Sequence, residues 1–430
     1  MRALCSNLAE QHEKQGDFAS QKPMDVAIIG AGASGVLLAL ALAQHAPDVT
    51  VTLIDPAPNH GRGLAYAAAP AAIRLNVGAT RMSAFADRPN DFAAWCLEHG
   101  HGEGPLTHYF APRDLYGAYV ADRLAQWAPA TVHRRDAVTD LQPDADGVTL
   151  TLASGALVHA DIAVLATGHS WVTDRDHDRA VPADAPVSII GTGLTMVDRW
   201  LRLRESGYRG VITATSRHGL APLGHGAYSP PMSLSEVPQG RSVRETMRWL
   251  RHLAQSVPDW RMAIDGIRPF TQAIWQAWPL TEKQRFLRHA RRYWDVHRHR
   301  IAPDVAARLD AERAAGTLHI VRSRTPVGGD HTFDCRGYVP DWSCLGNALL
   351  SHLVTTGQVR PDPLGIGLDV TSTLDIVDRD GTPQPRLLAV GPITRSRFWE
   401  IEAVPDIRVQ VADLARRIGQ QAITRQAATV

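Results

Sequence analysis

Glycines spaced G-x-G-x-x-G behind a short apolar run can hold a pyrophosphate, and this chain carries two such arrangements. The first is Val26-Ala-Ile-Ile-Gly-Ala-Gly-Ala-Ser-Gly35. Gly30 permits the tight turn, Gly32 lets the backbone approach a phosphate, and Gly35 lets the helix pack on the strand. Ser34 lies inside the motif. The helix that follows offers unpaired N–H groups and a positive dipole end. The next apolar run, Val49 to Ile54, ends at Asp55, an acid placed to accept hydrogen bonds from both ribose hydroxyls. The second motif is Val187-Ser-Ile-Ile-Gly-Thr-Gly193. Gly191 and Gly193 match, but Met196 stands in the third position, which implies looser helix–strand packing or a ligand held further out. Asp198, on the same helix, lies near the site or faces solvent. The following strand, Gly210 to Thr215, ends in Ser216-Arg-His-Gly219. An acid there would repel a 2′-phosphate. Ser216 and Arg217 instead supply a hydroxyl and a fixed cation, which suit a phosphate dianion and favour NADPH over NADH. A solvent-facing arginine at a strand end is the plainer alternative. One motif is a weak signal; two imply a flavin and the nicotinamide that reduces it.

The segments Gly61-Arg-Gly-Leu-Ala-Tyr66 and Leu75-Asn-Val-Gly-Ala-Thr-Arg-Met-Ser83, then Phe92 and Trp95, continue from the first motif. Near the other end stands Gly391-Pro-Ile-Thr-Arg-Ser-Arg-Phe-Trp-Glu-Ile-Glu-Ala-Val-Pro-Asp-Ile-Arg408. Together they resemble the FAD/NAD(P)-binding family of the NAD-binding domain 9 type, which includes bacterial FAD-dependent urate hydroxylases and related flavin monooxygenases. The resemblance runs from about residue 25 to 415, dense at both ends and thin in the middle. It implies that Arg62, Gly63, Asn76, Met82 and Ser83 lie along FAD. It also implies that Thr167 and Gly168, ending the run Ala163 to Gly168, pass close to it, and that Gly391 and Pro392 precede a helix pointing at the flavin. Val138 would meet the adenine through its backbone. Arg395, Arg397, Trp399 and Glu400 would form the active-site wall. Trp399 suits a core equally well, and the charged residues suit a structural network. The activity implied is an NADPH-consuming, FAD-dependent monooxygenase acting through a flavin hydroperoxide on a small substrate, purine- or urate-like or an amine. An FAD-containing NAD(P)H oxidoreductase without oxygen insertion is the alternative, as is a non-catalytic FAD-binding protein.

Positioning these residues requires an α/β fold with two Rossmann-like dinucleotide-binding domains and a helical insertion in the second. We expect a flexible tail over 1–23, an FAD domain over 24–182 and 331–430, and an NADPH domain over 183–330. The insertion spans about 232–316. Prolines divide Ser242 to Ala315 into about four helices, rich in Arg and Trp, able to cap the flavin and exclude water. Arg291-Arg-Tyr-Trp-Asp-Val-His-Arg-His-Arg300 mixes arginine with aromatics, as nucleic-acid binders do. The charge is local, however, and a patch facing nicotinamide phosphates or an anionic substrate is more economical. His297 and His299 lack a third ligand, so no metal is expected. A net charge of +1 gives no argument for nucleic acid or an anionic membrane. No apolar run approaches a membrane span. Four scattered cysteines without C-x-x-C exclude a dithiol centre and point to reduced thiols in a cytoplasm. The expected partners are a small-molecule substrate and molecular oxygen. Oligomeric state is open.

Overall fold

The computed structural model describes residues 22–427 except 59, 67–69, 103–104, 169–179, 227–229, 326, 328, 330, 338–341 and 343–345. The proposed tail, Cys5 and Cys344 lie outside the described residues. The chain opens with β1 (Asp25–Ile29), α1 (Ala33–His45) and β2 (Thr50–Ile54). Helix α1 is buried from Ser34 to Leu42, which explains its apolar run without a membrane. Two helices follow, α2 (Asp91–Glu98) and α3 (Arg113–Trp127), then β3 (Val132–Arg134). The meander β4 (Val138–Pro143), β5 (Val148–Leu152) and β6 (Leu157–Ala160) forms its own antiparallel sheet, and β7 (Ile162–Leu165) returns to the first one.

The second unit begins with β8 (Val187–Ile190), α4 (Leu194–Glu205) and β9 (Ile212–Ser216). The helical middle comprises α5 (Val243–Gln255), α6 (Trp260–Ile267), α7 (Thr271–Ala277), α8 (Leu280–Arg285), α9 (Arg291–Arg298) and α10 (Pro303–Ala314). That is six helices, not about four. Pro269 opens a 3-10 turn between α6 and α7, and a π-helical turn over Phe286–Ala290 separates α8 from α9. Ser242 caps α5 in a full capping box with Glu245. Strands β10 (Leu318–Arg322) and β11 (His331–Asp334) complete a parallel sheet in the order β10-β9-β8-β11. Because β11 pairs with β8, the return to the first domain follows Asp334 rather than starting at 331.

After α11 (Ala348–Thr356), β12 (Asp375–Val377) and β13 (Pro383–Ala389) join the first sheet, ordered β12-β13-β7-β1-β2-β3. All its pairings are parallel except β12 on β13. Helix α12 (Val404–Ala427) closes the chain; a Cβ at its Gly419 would lie 2.7 Å from the carbonyl of His45, so α12 lies close against the end of α1. Among the described residues no helix is long and apolar enough to cross a membrane.

Candidate functional site

Both sheets present the same device at their first strand. Gly30 and Gly191 hold φ of +106° and +109°. A Cβ on Gly30 would lie 2.6 Å from the Ala166 carbonyl oxygen, and one on Gly191 would lie 2.2 Å from that of Cys335. Only glycine meets both demands. Gly32 and Gly193 then stand at the N-caps of α1 and α4, and neither helix has a side-chain cap. A Cβ on Gly193 would meet nothing within 4 Å, and one on Gly32 would meet only the Cα of Gly63, at 3.6 Å. Two open, uncapped helix starts with positive dipole ends fit two pyrophosphates.

The third glycine position separates the two. A Cβ on Gly35 would lie 1.9 Å from the Gly30 carbonyl oxygen, so α1 rests directly on its turn. Met196, at that position in the second unit, is fully buried in the core. Asp55 accepts from the N–H of Ala31 at 2.7 Å and of Ala57 at 2.8 Å, so it braces the first glycine turn from the end of β2. Gly391, at φ +75°, lies against Ser34: a Cβ there would meet Ser34 Oγ at 2.4 Å. Its N–H donates to Gln410 Oε1 at 2.8 Å, and Pro392 is buried beside it. Gly168, at φ +62°, faces open space, and Thr167 precedes it half-buried. Arg62 is half-buried, and its Cγ would lie 2.9 Å from a Cβ added at Gly117. Asn76 is half-exposed, and its carbonyl accepts from His225 Nε2 at 3.0 Å.

Three residues of the resemblance turn inward. Met82 is buried in the first core. Ser83 is fully buried, and its hydroxyl donates to the Phe85 carbonyl and accepts from the Phe85 N–H. Val138 packs in the core beneath β1 and β7. Val138, expected to meet the adenine through its backbone, thus has only its side chain in the core.

The second site is more basic than the motif announced. The hydroxyl of Ser216 accepts from Thr192 Oγ1 at 2.9 Å and from the Gly219 N–H at 3.0 Å. Ser216 thus holds the turn. Arg217 is exposed, and Arg322 ends β10 directly opposite Ser216. His218 lies among Arg292, Arg217, Arg322 and Arg324; burial, then these four charges, lowers its pKa. The three further arginines come from two distant segments, which is why spacing alone does not reveal them. Asp198 does not face solvent: its two oxygens take Arg113 of α3 at 2.7 and 3.1 Å, joining the domains.

The expected active-site wall splits. Arg397 is exposed. Arg395 is 2% exposed and pairs with Glu402 at 2.6 Å. Trp399 is buried, stacked on Trp275 at 4.6 Å and edge-on to Phe286 at 5.4 Å. It borders a cavity of ≈ 30 Å³ with Trp275, Trp278, Trp294 and Phe286, room for one water and no substrate. Glu400 has φ +65° and accepts from Trp294 Nε1 at 2.5 Å and Arg298 Nε at 3.0 Å. Burial opposes its ionisation, but the charges of Arg298 and His299 prevail and lower its pKa. Arg395, Trp399 and Glu400 are thus buried, and Trp399 and Glu400 pack against the helical middle. His297 donates from Nδ1 to the Tyr293 carbonyl at 2.7 Å, and His299 Nε2 lies 3.8 Å from Asp295.

A family model described as FAD-NAD(P)-binding matches residues 27–170. No curated protein sequence matches the chain. Among solved structures, an ornithine N-hydroxylase from Kutzneria sp. 744, recorded with reduced FAD, NADP+ and L-ornithine, is 14% identical with a TM-score of 0.60. The match covers 93% of this chain and 99% of that one. L-lysine 6-monooxygenase from Pseudomonas syringae gives 13% identity, a TM-score of 0.60, and coverage of 93% and 100%. A flavin monooxygenase from Stenotrophomonas maltophilia gives 15%, 0.53, and 93% and 98%. The chain has the two-domain dinucleotide fold over nearly its whole length.

Proposed function

Since residues 27–170 form an FAD/NAD(P)-binding domain and the chain folds as flavin monooxygenases do, we propose that this protein is a flavin-dependent, NADPH-consuming monooxygenase acting on a small molecule. The observation that carries the nicotinamide half is the group of four arginines around His218, with Arg217, Arg322 and Arg324 at or just past the ends of β9 and β10 and Arg292 on α9. FAD belongs to the first unit: Gly32 and α1 receive its pyrophosphate, Asp55 fixes the turn, and Gly391 closes on Ser34 from behind. NADPH belongs to the second, on Gly193 and α4, with Arg217, Arg322 and Arg324 on its 2′-phosphate. Bound flavin supplies hydride acceptance and oxygen activation. The chain's own part is orientation and dryness, with the helical middle anchored through Trp275 Nε1 on the Ser396 carbonyl at 2.8 Å. The relatives named for ornithine and lysine act on amines, which favours an amine over a purine as the group modified.

The test is spectroscopic. The purified protein should be yellow, and NADPH should bleach it without oxygen faster than NADH does. With oxygen and the right substrate, NADPH consumption should rise and yield hydroxylated product with little peroxide. A colourless protein that cannot take up FAD overturns the proposal. Electron transfer indifferent to substrate would establish a reductase instead.

A further inference from the structure

Arg81 ends a 3-10 turn, Ala79–Arg81, directly before Met82. It is exposed, and among the described residues no carboxylate pairs with it. A continuous series of contacts runs beside it. Arg408 donates to the Ser83 carbonyl at 3.1 Å. Two residues before Arg408, Asp406 takes Arg268 at 3.1 Å. Arg268 directly follows α6, whose Asp265 takes Arg300 at 2.5 Å. Arg298, two residues earlier, takes Glu400. Five guanidinium groups thus meet three carboxylates, leaving an excess of two positive charges. Arg300 is 3% exposed, and its Nε and that of Arg408 are buried without a hydrogen-bond partner. Desolvation, then the charges of Arg268, Arg298 and Arg300, pull the Arg81 pKa down to about 10, against Asp265. A few residues earlier, the Asn76 carbonyl accepts from His225 of the second domain, so Arg81 follows directly on the segment where the two domains touch.

We propose that Arg81 and the guanidinium groups around it form a subsite for a compact organic anion on the substrate, a carboxylate or a delocalised ring anion. The cofactor phosphates have other addresses, at Gly32, at Gly193 and around His218, none of which shares a residue with this group. That the anion belongs to a substrate rests on the flavoenzyme reading; that an anion binds here does not. Among the described residues Arg81 forms no salt bridge, so changing it breaks none of the ion pairs around it.

The test is calorimetric titration of the full chain, with whatever flavin it carries, against benzoate and its neutral analogue benzamide. Benzoate should bind saturably and benzamide should not. Arg81→Gln should weaken benzoate binding on the order of ten- to a hundredfold, and Arg81→Lys should recover part of it. The flavin content and absorbance of Arg81→Gln should match the parent, and 2′-AMP should not displace benzoate. Equal binding of benzoate and benzamide, no saturable binding of benzoate, or an unchanged Arg81→Gln overturns the proposal. So does loss of flavin in Arg81→Gln, or displacement by 2′-AMP, since the subsite would then serve a cofactor. Benzoate binding that depends on Arg81 in a protein without flavin would sustain the subsite while the flavoenzyme reading fell.

Discussion

Glu400 holds a left-handed backbone that favours glycine, a conformation that costs a side-chain-bearing residue on the order of 1–3 kcal/mol. Its carboxylate repays this by joining Trp294 and Arg298, over 100 residues away in sequence. Glu400→Ala should therefore lower stability by about 3–5 kcal/mol, because it strands a buried guanidinium; urea unfolding would read the loss. His225 offers a pH signature. Burial, then Arg300, lowers its pKa to about 4, and the neutral ring donates from Nε2 to Asn76. Its folded pKa lies below the unfolded value near ~6.5, so the unfolded chain binds the proton first. Its contribution is present above that value and is lost as pH falls from ~6.5 towards about 4. The urea midpoint should drop across that window in the parent and more shallowly in His225→Asn. At Arg217, alanine should abolish the preference for NADPH over NADH in anaerobic bleaching. Residues such as Gly30, Asp55 and Arg217 were legible because local geometry or a strand end dictates their type. Arg322, Arg324 and Arg81 were not, because their partners come together only when distant strands and helices meet.

The contrast between α1 and α4 is a matter of how a helix seats on its strand. Gly35→Ala would drive a methyl into the Gly30 carbonyl oxygen, so the first site should lose its flavin or the domain its fold. Met196→Ala should instead leave a cavity at a cost of about 2–5 kcal/mol, with the second turn intact. Chemical denaturation of both variants, read with flavin content, separates these outcomes. The strands at both glycine turns were readable because buried parallel strands are continuous apolar runs. Strand β11 was not: His331-Thr-Phe-Asp334 has one buried apolar residue, and only pairing with β8 makes it a strand. The helices of the middle were undercounted because a π-helical turn and a 3-10 turn divide what periodicity runs together.

Across the molecule, the bidentate Arg113–Asp198 pair links α3 of the first domain to α4 of the second. Asp198→Ala should loosen the pair, seen as faster limited proteolysis of the connecting segments and a wider particle in small-angle scattering, with each domain's secondary structure unchanged. The domain pair itself was visible in two glycine motifs. The docking of the helical middle was not, since it depends on aromatic stacking and buried ion pairs between segments without a shared pattern. One short stretch, from Gly391 to Glu400, now touches both worlds. Its first residue presses on Ser34 at the start of α1, while Ser396, Trp399 and Glu400 grip helices of the middle segment. If the proposed flavin site is at α1, a ligand that shifts those helices should tug on the flavin's cradle, and the colour of the protein should report what it has bound before any chemistry begins.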